Sequence, residues 1–300
     1  MSLFSFLGAI EIGLIFALVA IGVYISFRLL NFPDLTVDGS FPLGGAVCAV
    51  LISRGLDPYL ATIAATAAGG AAGFVTAWLN VRLKIMDLLA SILLMIALFS
   101  INLRIMDGPN VPLIHNDTLF TLLQPPGMPD FWARPLIMLV IVAVMAALMV
   151  WFFTTERGLA IHASGSNPRM ARAQGVNTGA MIILGMILSN ALVGLAGALF
   201  AQTQGGADVS MGIGTIVIGL AAVIIGESII PSRRILLATI GAIVGAIVYR
   251  LFISLALNSD FIGLKAQDLN LVTAVLVTLA LVIPRLRRKD KNTGRPTAMG

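Results

Sequence analysis

The chain has 300 residues, 58% of them hydrophobic and only 11% charged, where a water-soluble domain carries about a quarter of its residues as charges. So few polar side chains cannot cover a water-facing surface, which excludes a soluble globular fold. The formal net charge of +5 invites a nucleic-acid partner, but its distribution along the chain points to a membrane and to no nucleic acid.

Apolar runs near the ~20 residues that a helix needs to cross the hydrocarbon core recur at 3–27, 59–79, 88–103, 135–153, 181–201, 213–230, 235–257 and 269–283. A ninth run, 41–53, gives only about 20 Å of helix, short for a span. None alternates apolar and polar residues as a barrel strand does. The expected fold is an all-α polytopic membrane protein of about nine transmembrane helices, within a range of eight to ten, one of them short or re-entrant.

With 154–178 cytoplasmic and each run crossing once, the inner side holds Arg28, Arg82, Lys84, Arg157, Arg169, Arg172, Arg233, Arg234, Arg285, Arg287, Arg288, Lys289, Lys291 and Arg295. The outer side holds Arg54, Arg104, Arg134, Arg250 and Lys265. Fourteen against five obeys the positive-inside rule and sets the N-terminus outside and the C-terminus inside. A re-entrant 41–53 would bring the N-terminus inside. Residues 1–284 then form one transmembrane domain and 285–300 a basic cytoplasmic tail, a stop signal that also anchors on membrane lipid. No removable signal peptide is evident at the start.

Two interruptions carry most of the information. The first, residues 31–42, brings Asp34 and Asp38 together with Pro33 and Pro42. Non-helical backbone at membrane depth survives only when buried in protein or lining water, so this stretch is either an interfacial elbow or part of a cavity wall. Ser40 followed by Pro42 reads as a helix start.

Farther along, the Pro-, Asn- and Asp-rich stretch 105–134 reads as an external loop of turns and extended segments, either a lid or docking surface or a passive connection. The second interruption, 154–178, predicts a short cytoplasmic helix. Ser166 or Asn167 caps it, Pro168 fills its first turn, Met170 to Gln174 favour helix, and Gly175 supplies the left-handed stop.

Inside the runs, Gly69 and Gly73, Gly241 and Gly245, and the Gly194, Gly197 and Ala198 group put small residues on single helix faces. Such stripes let helix backbones approach in lipid. Cys48 is the one cysteine, and His115 and His162 are the only histidines. There is no metal-spaced cluster, no HExxH helix and no GxxxxGK[ST] phosphate loop. No catalytic residue, metal or cofactor is expected in this chain.

The capped helix followed by Leu188-Ser189-Asn190-Ala191-Leu192-Val193-Gly194-Leu195-Ala196-Gly197-Ala198 resembles the branched-chain amino acid and ribose-type ABC importer permeases. The stretch from Arg28 to Ser40 resembles in particular the branch described as tryptophan or tyrosine uptake permeases. The resemblance runs from about the first run to the last and leaves 105–134 and the tail uncovered. It implies a bacterial inner-membrane importer with cytoplasmic P-loop ATPase subunits that carry ATP and Mg. It also implies an external substrate-binding protein and a second permease subunit, expected as a homodimer. By matching position, Ser166, Asn167, Pro168, Arg169, Ala171, Arg172 and Gly175 would form the coupling helix that docks on the ATPase.

Candidates for the translocation path are Asn31, Asp34, Asp38, Asn102, Asn190 and Gln202. Asn190 either faces a central cavity or bonds a neighbouring helix. Glu227 is expected to pair with Arg233 or Arg234, and Glu11 has no evident partner in the sequence. Two other classes stay open: a secondary transporter, which needs an intramembrane carboxylate site, and a membrane scaffold that transports nothing.

Overall fold

A computed structural model describes residues 3–114, 116–125, 127–232, 234–257 and 278. Eight of the nine apolar runs fall on helices within it. The run 269–283, apart from residue 278, and the basic tail lie outside the described residues. Seven helical stretches are long and apolar enough to cross a membrane, so the expected nine becomes, among the described residues, seven plus one shorter helix.

The chain opens with α1 (Leu3–Val23), which continues as a π-helical turn over Tyr24–Leu29. Then come α2 (Val37–Ser53), α3 (Pro58–Leu83), α4 (Asp87–Met106), the strand β1 (Asn110–Pro112) and the short α5 (Leu119–Leu123). The span α6 (Asp130–Thr154) leads into α7 (Glu156–Ser166) and α8 (Pro168–Ala173). The long α9 (Thr178–Gln204) is followed by β2 (Gly206–Asp208), a 3-10 turn (Val209–Gly212), α10 (Thr215–Ile229) and α11 (Ile235–Leu257).

Two helices form the centre. The buried face of α1 carries Leu14, Ile15, Leu18 and Val19 among helices α6, α9, α10 and α11. Against α9, both α2 and α3 pack through glycine. A Cβ at Gly69 would strike the Asn190 carbonyl, one at Gly73 the Met186 carbonyl, and one at Gly197 the Phe41 carbonyl, while Gly194 lies against Gly69. The α10–α11 contact is built the same way, with Gly226 against Gly241 and Gly245 against the Ala222 carbonyl. In lipid, where apolar burial between helices offers little, this backbone approach supplies the dispersion contact.

The two faces of the bundle are distinct. At one lie the two-stranded β1–β2 ladder, the Asn116 side chain against the Ile52 carbonyl, and the Phe4–Phe131 ring pair. At the other, Gly165 of α7 presses on Leu29 and Leu30, and the start of α9 meets the end of α3 at Val81. The 17-residue α2 starts inside the bundle, where Ser40 meets Asn190 of α9, and ends at the first face, where Ile52 meets Asn116.

The stretch 105–134 holds more structure than its composition predicts. Antiparallel pairing sets Asn110 opposite Asp208 and Pro112 opposite Gly206. A reciprocal Thr118–Thr121 capping box starts α5, and the Leu119 amide donates to Gln202 Oε1 at 2.8 Å.

Candidate functional site

Glu156 and Arg157 open the arm α7–α8. Thr155 caps α7 through Gly158, and the buried Ile161 roots it in a cluster with Leu29, Leu30, Phe32, Phe153 and Met186. Both α7 glycines serve close approach, since a Cβ at Gly158 would meet the Phe153 backbone and one at Gly165 the Leu29 carbonyl. The Asn167 side chain accepts from the Met170 amide at 3.1 Å, and Pro168 opens α8. Gly175 takes a φ of +82° and ends it, a conformation that an L side chain resists. Ser166, Asn167, Pro168, Arg169, Met170, Arg172 and Gly175 are all exposed, and Ala171 alone of this set is buried. The sequence predicts α8 and its cap but does not anticipate α7.

The first interruption is a buried polar turn. Asn31, exposed and at φ +55°, reverses the chain after the π-helical turn. Asp34 Oδ1 then accepts the Thr36 amide at 2.9 Å, and its Oδ2 accepts Asn190 Nδ2 at 2.7 Å. Ser40 Oγ donates to Asn190 Oδ1 at 2.7 Å, and the Thr36 and Thr76 hydroxyls meet at 2.8 Å. Asp34, Thr36, Ser40, Thr76 and Asn190 are all buried. Because Asn190 stands near the middle of the 27-residue α9, this network lies inside the bundle and not at its surface.

The turn corrects the expected helix start. α2 begins at Val37, three residues ahead of Ser40, with Pro42 inside the helix. The Asp34 carboxylate organises the first turn that Ser40 was expected to cap. Pro42 cannot donate to the Asp38 carbonyl, and Gly212 fills the space beside that carbonyl and the proline ring.

Asp38 faces a different neighbour. Its carboxylate accepts the Ile216 amide at 2.7 Å and the Gly214 amide at 3.3 Å, capping α10 across the bundle. Asp38 and Asn102 also line a cavity of about 390 Å³ between α2, α4 and the 3-10 turn. Gln202 is buried elsewhere: its Nε2 donates to Thr62 Oγ1 at 2.9 Å and to Cys48 Sγ at 3.2 Å. The six path candidates thus separate into an exposed turn residue, a buried network, a cavity pair and a second buried cluster.

Two more expectations meet the structure here. Glu227 pairs with Arg28 at the end of the π-helical turn, a partner remote in sequence and, among the described residues, in place of Arg234; Arg233 lies outside the described residues. Glu11 Oε1 has no hydrogen-bond partner among the described residues. It lines a 280 Å³ cavity with Asp130 and Arg134.

A family model described as the permease component of branched-chain amino acid transport systems matches residues 5–283. The chain belongs to that family. This permease is 36% identical over 281 residues to a tyrosine transport system permease protein of Clostridioides difficile, covering 93% of this chain and 91% of the relative. It is 26% identical over 259 residues to the ribose import permease protein of Escherichia coli, covering 83% and 76%. Its fold is similar to an inward-facing metal-chelate type ABC transporter, with a TM-score of 0.52, 17% identity, and 95% and 86% of the two chains covered. The protein is a multi-pass membrane protein and the permease subunit of an ABC transporter, not itself catalytic.

Proposed function

We propose that this permease is the membrane subunit of a bacterial amino-acid importer, with an aromatic amino acid as its solute. The 36% identity to a tyrosine permease over nearly the whole chain supports that solute class. In this reading α8 docks in a cytoplasmic ATPase that carries ATP and Mg. An external binding protein delivers the solute, and a second copy of the chain completes the path. The C-terminus is cytoplasmic.

One observation carries the reading. The exposed α8 is covalently continuous with α7, and α7 rests on Leu29 and Leu30, directly before the buried turn from which α2 starts. Displacing α8 therefore loads the break in the bundle that leads to Asp38 and Asn102. The arm is a lever with a short path to the interior, which alternating access needs and a passive loop does not. Neither a secondary transporter nor a scaffold needs such a lever.

Substituting Arg169→Glu and Arg172→Glu together tests the docking role in the complete transporter. Both side chains are exposed; the change gives up only the exposed bond of Arg172 to the Pro168 carbonyl within α8, and exposed substitutions change the stability of the bundle by about 0.5 kcal/mol or less. Thermal unfolding should be unchanged, while solute-stimulated ATPase activity and uptake both fall at least tenfold. Survival of both activities would remove α8 from the coupling role.

A further inference from the structure

We propose that the cavity between α2, α4 and the 3-10 turn is a solute site that selects the ammonium end of a small aromatic amine; the inference rests on the importer reading and names the chemistry of its path. The cavity measures about 390 Å³, within the range of small-molecule pockets. Its polar side chains are Asp38, Ser100 and Asn102, and its apolar walls include Met95, Phe99 and Ile213. No Lys, Arg or His lines it.

The polar groups share one sign. Asn102 is fully buried, and its Nδ2 donates to the Gly39 carbonyl at 3.3 Å. That bond fixes the amide orientation, because a carbonyl accepts only from the NH2 side. Asn102 Oδ1 is left as a buried acceptor with no partner among the described residues. Such orphans are rare because they forfeit their hydration, and a donor entering the cavity would satisfy this one.

Asp38 adds negative charge. The Ile216 and Gly214 amides occupy two of its acceptor positions, and a carboxylate offers about four. An ammonium brings three donors and a full positive charge to this pair. A carboxylate in that position would meet Asp38 with no cationic side chain to offset it. An amino acid would therefore enter with its amino group toward Asn102 and Asp38, its carboxylate turned away and its ring along the apolar wall.

A thiol placed at the mouth reads occupancy directly. Ser100 is exposed and lines the cavity, whereas the native Cys48 is buried. The Ser100→Cys protein in lipid nanodiscs is labelled with a methanethiosulfonate reagent, with wild type as the control for Cys48. The probes are tyramine and 3-(4-hydroxyphenyl)propionate, which share the ring and differ in the charged end. Tyramine should slow labelling at least fivefold and the propionate less than twofold. Adding Asn102→Leu should abolish tyramine protection, and Asn102→Asp should preserve it, with unliganded labelling rates within twofold throughout. Equal protection by both probes, protection by neither, or protection that survives Asn102→Leu would overturn the site. Tyrosine uptake by the complete transporter, measured in parallel, separates the two readings. Uptake without tyramine protection rejects this site alone, whereas failure of tyrosine to stimulate an associated ATPase rejects the importer reading.

Discussion

The arm α7–α8 and the turn before α2 are both interruptions of an apolar chain, yet they are built from opposite materials. The exposed end of the arm, α8, is held by local bonds: the Met170 amide to Asn167, Arg172 Nε to the Pro168 carbonyl, and Gly175 at positive φ. The turn is held by remote ones, since Asp34 and Asn190 are 156 residues apart and Ser40 and Asn190 are 150 apart. A segment that must present itself to a partner in water can close its own hydrogen bonds, and its remaining polar groups are solvated. A segment inside a membrane bundle has no water to turn to, so every polar group must find protein. The arm can therefore be altered on its surface without cost to the bundle, whereas the turn and the bundle stand or fall together.

The sharpest way to break this contrast is Asn190→Leu. It removes the donor to Asp34 and the acceptor of Ser40 in one step, leaving buried groups without partners. A loss of about 2–3 kcal/mol is expected, read as a lowered unfolding midpoint in detergent. Unchanged stability would mean that the network is not a structural centre. Next in size is Asn167→Ala, which removes the α8 cap. The cost should be about 1 kcal/mol to that helix, visible as faster amide exchange across α8 while the bundle's unfolding midpoint stays where it was. A drop in the global midpoint would show that the arm and the bundle are energetically one unit. The smallest effect belongs to Arg28→Ala. The Arg28–Glu227 pair is partly exposed, and such pairs contribute ~0–1 kcal/mol, so adding salt to wild type should reproduce most of whatever change the variant shows.

The same division explains what was legible in the sequence. Helix runs are readable because about 20 consecutive apolar residues have few uses outside a membrane. α8 is readable because its cap, first-turn proline and glycine stop are neighbours in the chain. α7 escapes notice because Gly158 and Gly165 lower its helix propensity, and the contacts they permit, with Phe153 and Leu29, are tertiary. The early start of α2 escapes for a related reason: the Asp34 side chain does the organising, and Asn190 holds Asp34. Glu227 has arginines close by in the chain, but Arg28, which it meets, is 199 residues away. Asn102 was visible only as a polar residue in an apolar run; its orphaned oxygen and the cavity beside it need α2 in place.

The β1–β2 ladder is small, three residues on each strand, but it ties the exit of α4 to the exit of α9. The Leu113 amide extends the tie to the Gly205 carbonyl at 2.7 Å. Spreading these two helices at that face would break several backbone bonds at about 1 kcal/mol each, whereas among the described residues no backbone ladder links α4 to the arm. If the importer reading holds, the ladder is expected to act as a hinge pin within one subunit, so that a push at the arm swings the unpinned helix ends more than the pinned ones. A disulfide across the ladder should then be tolerated through the whole cycle, and a crosslink between α4 and the arm should arrest it.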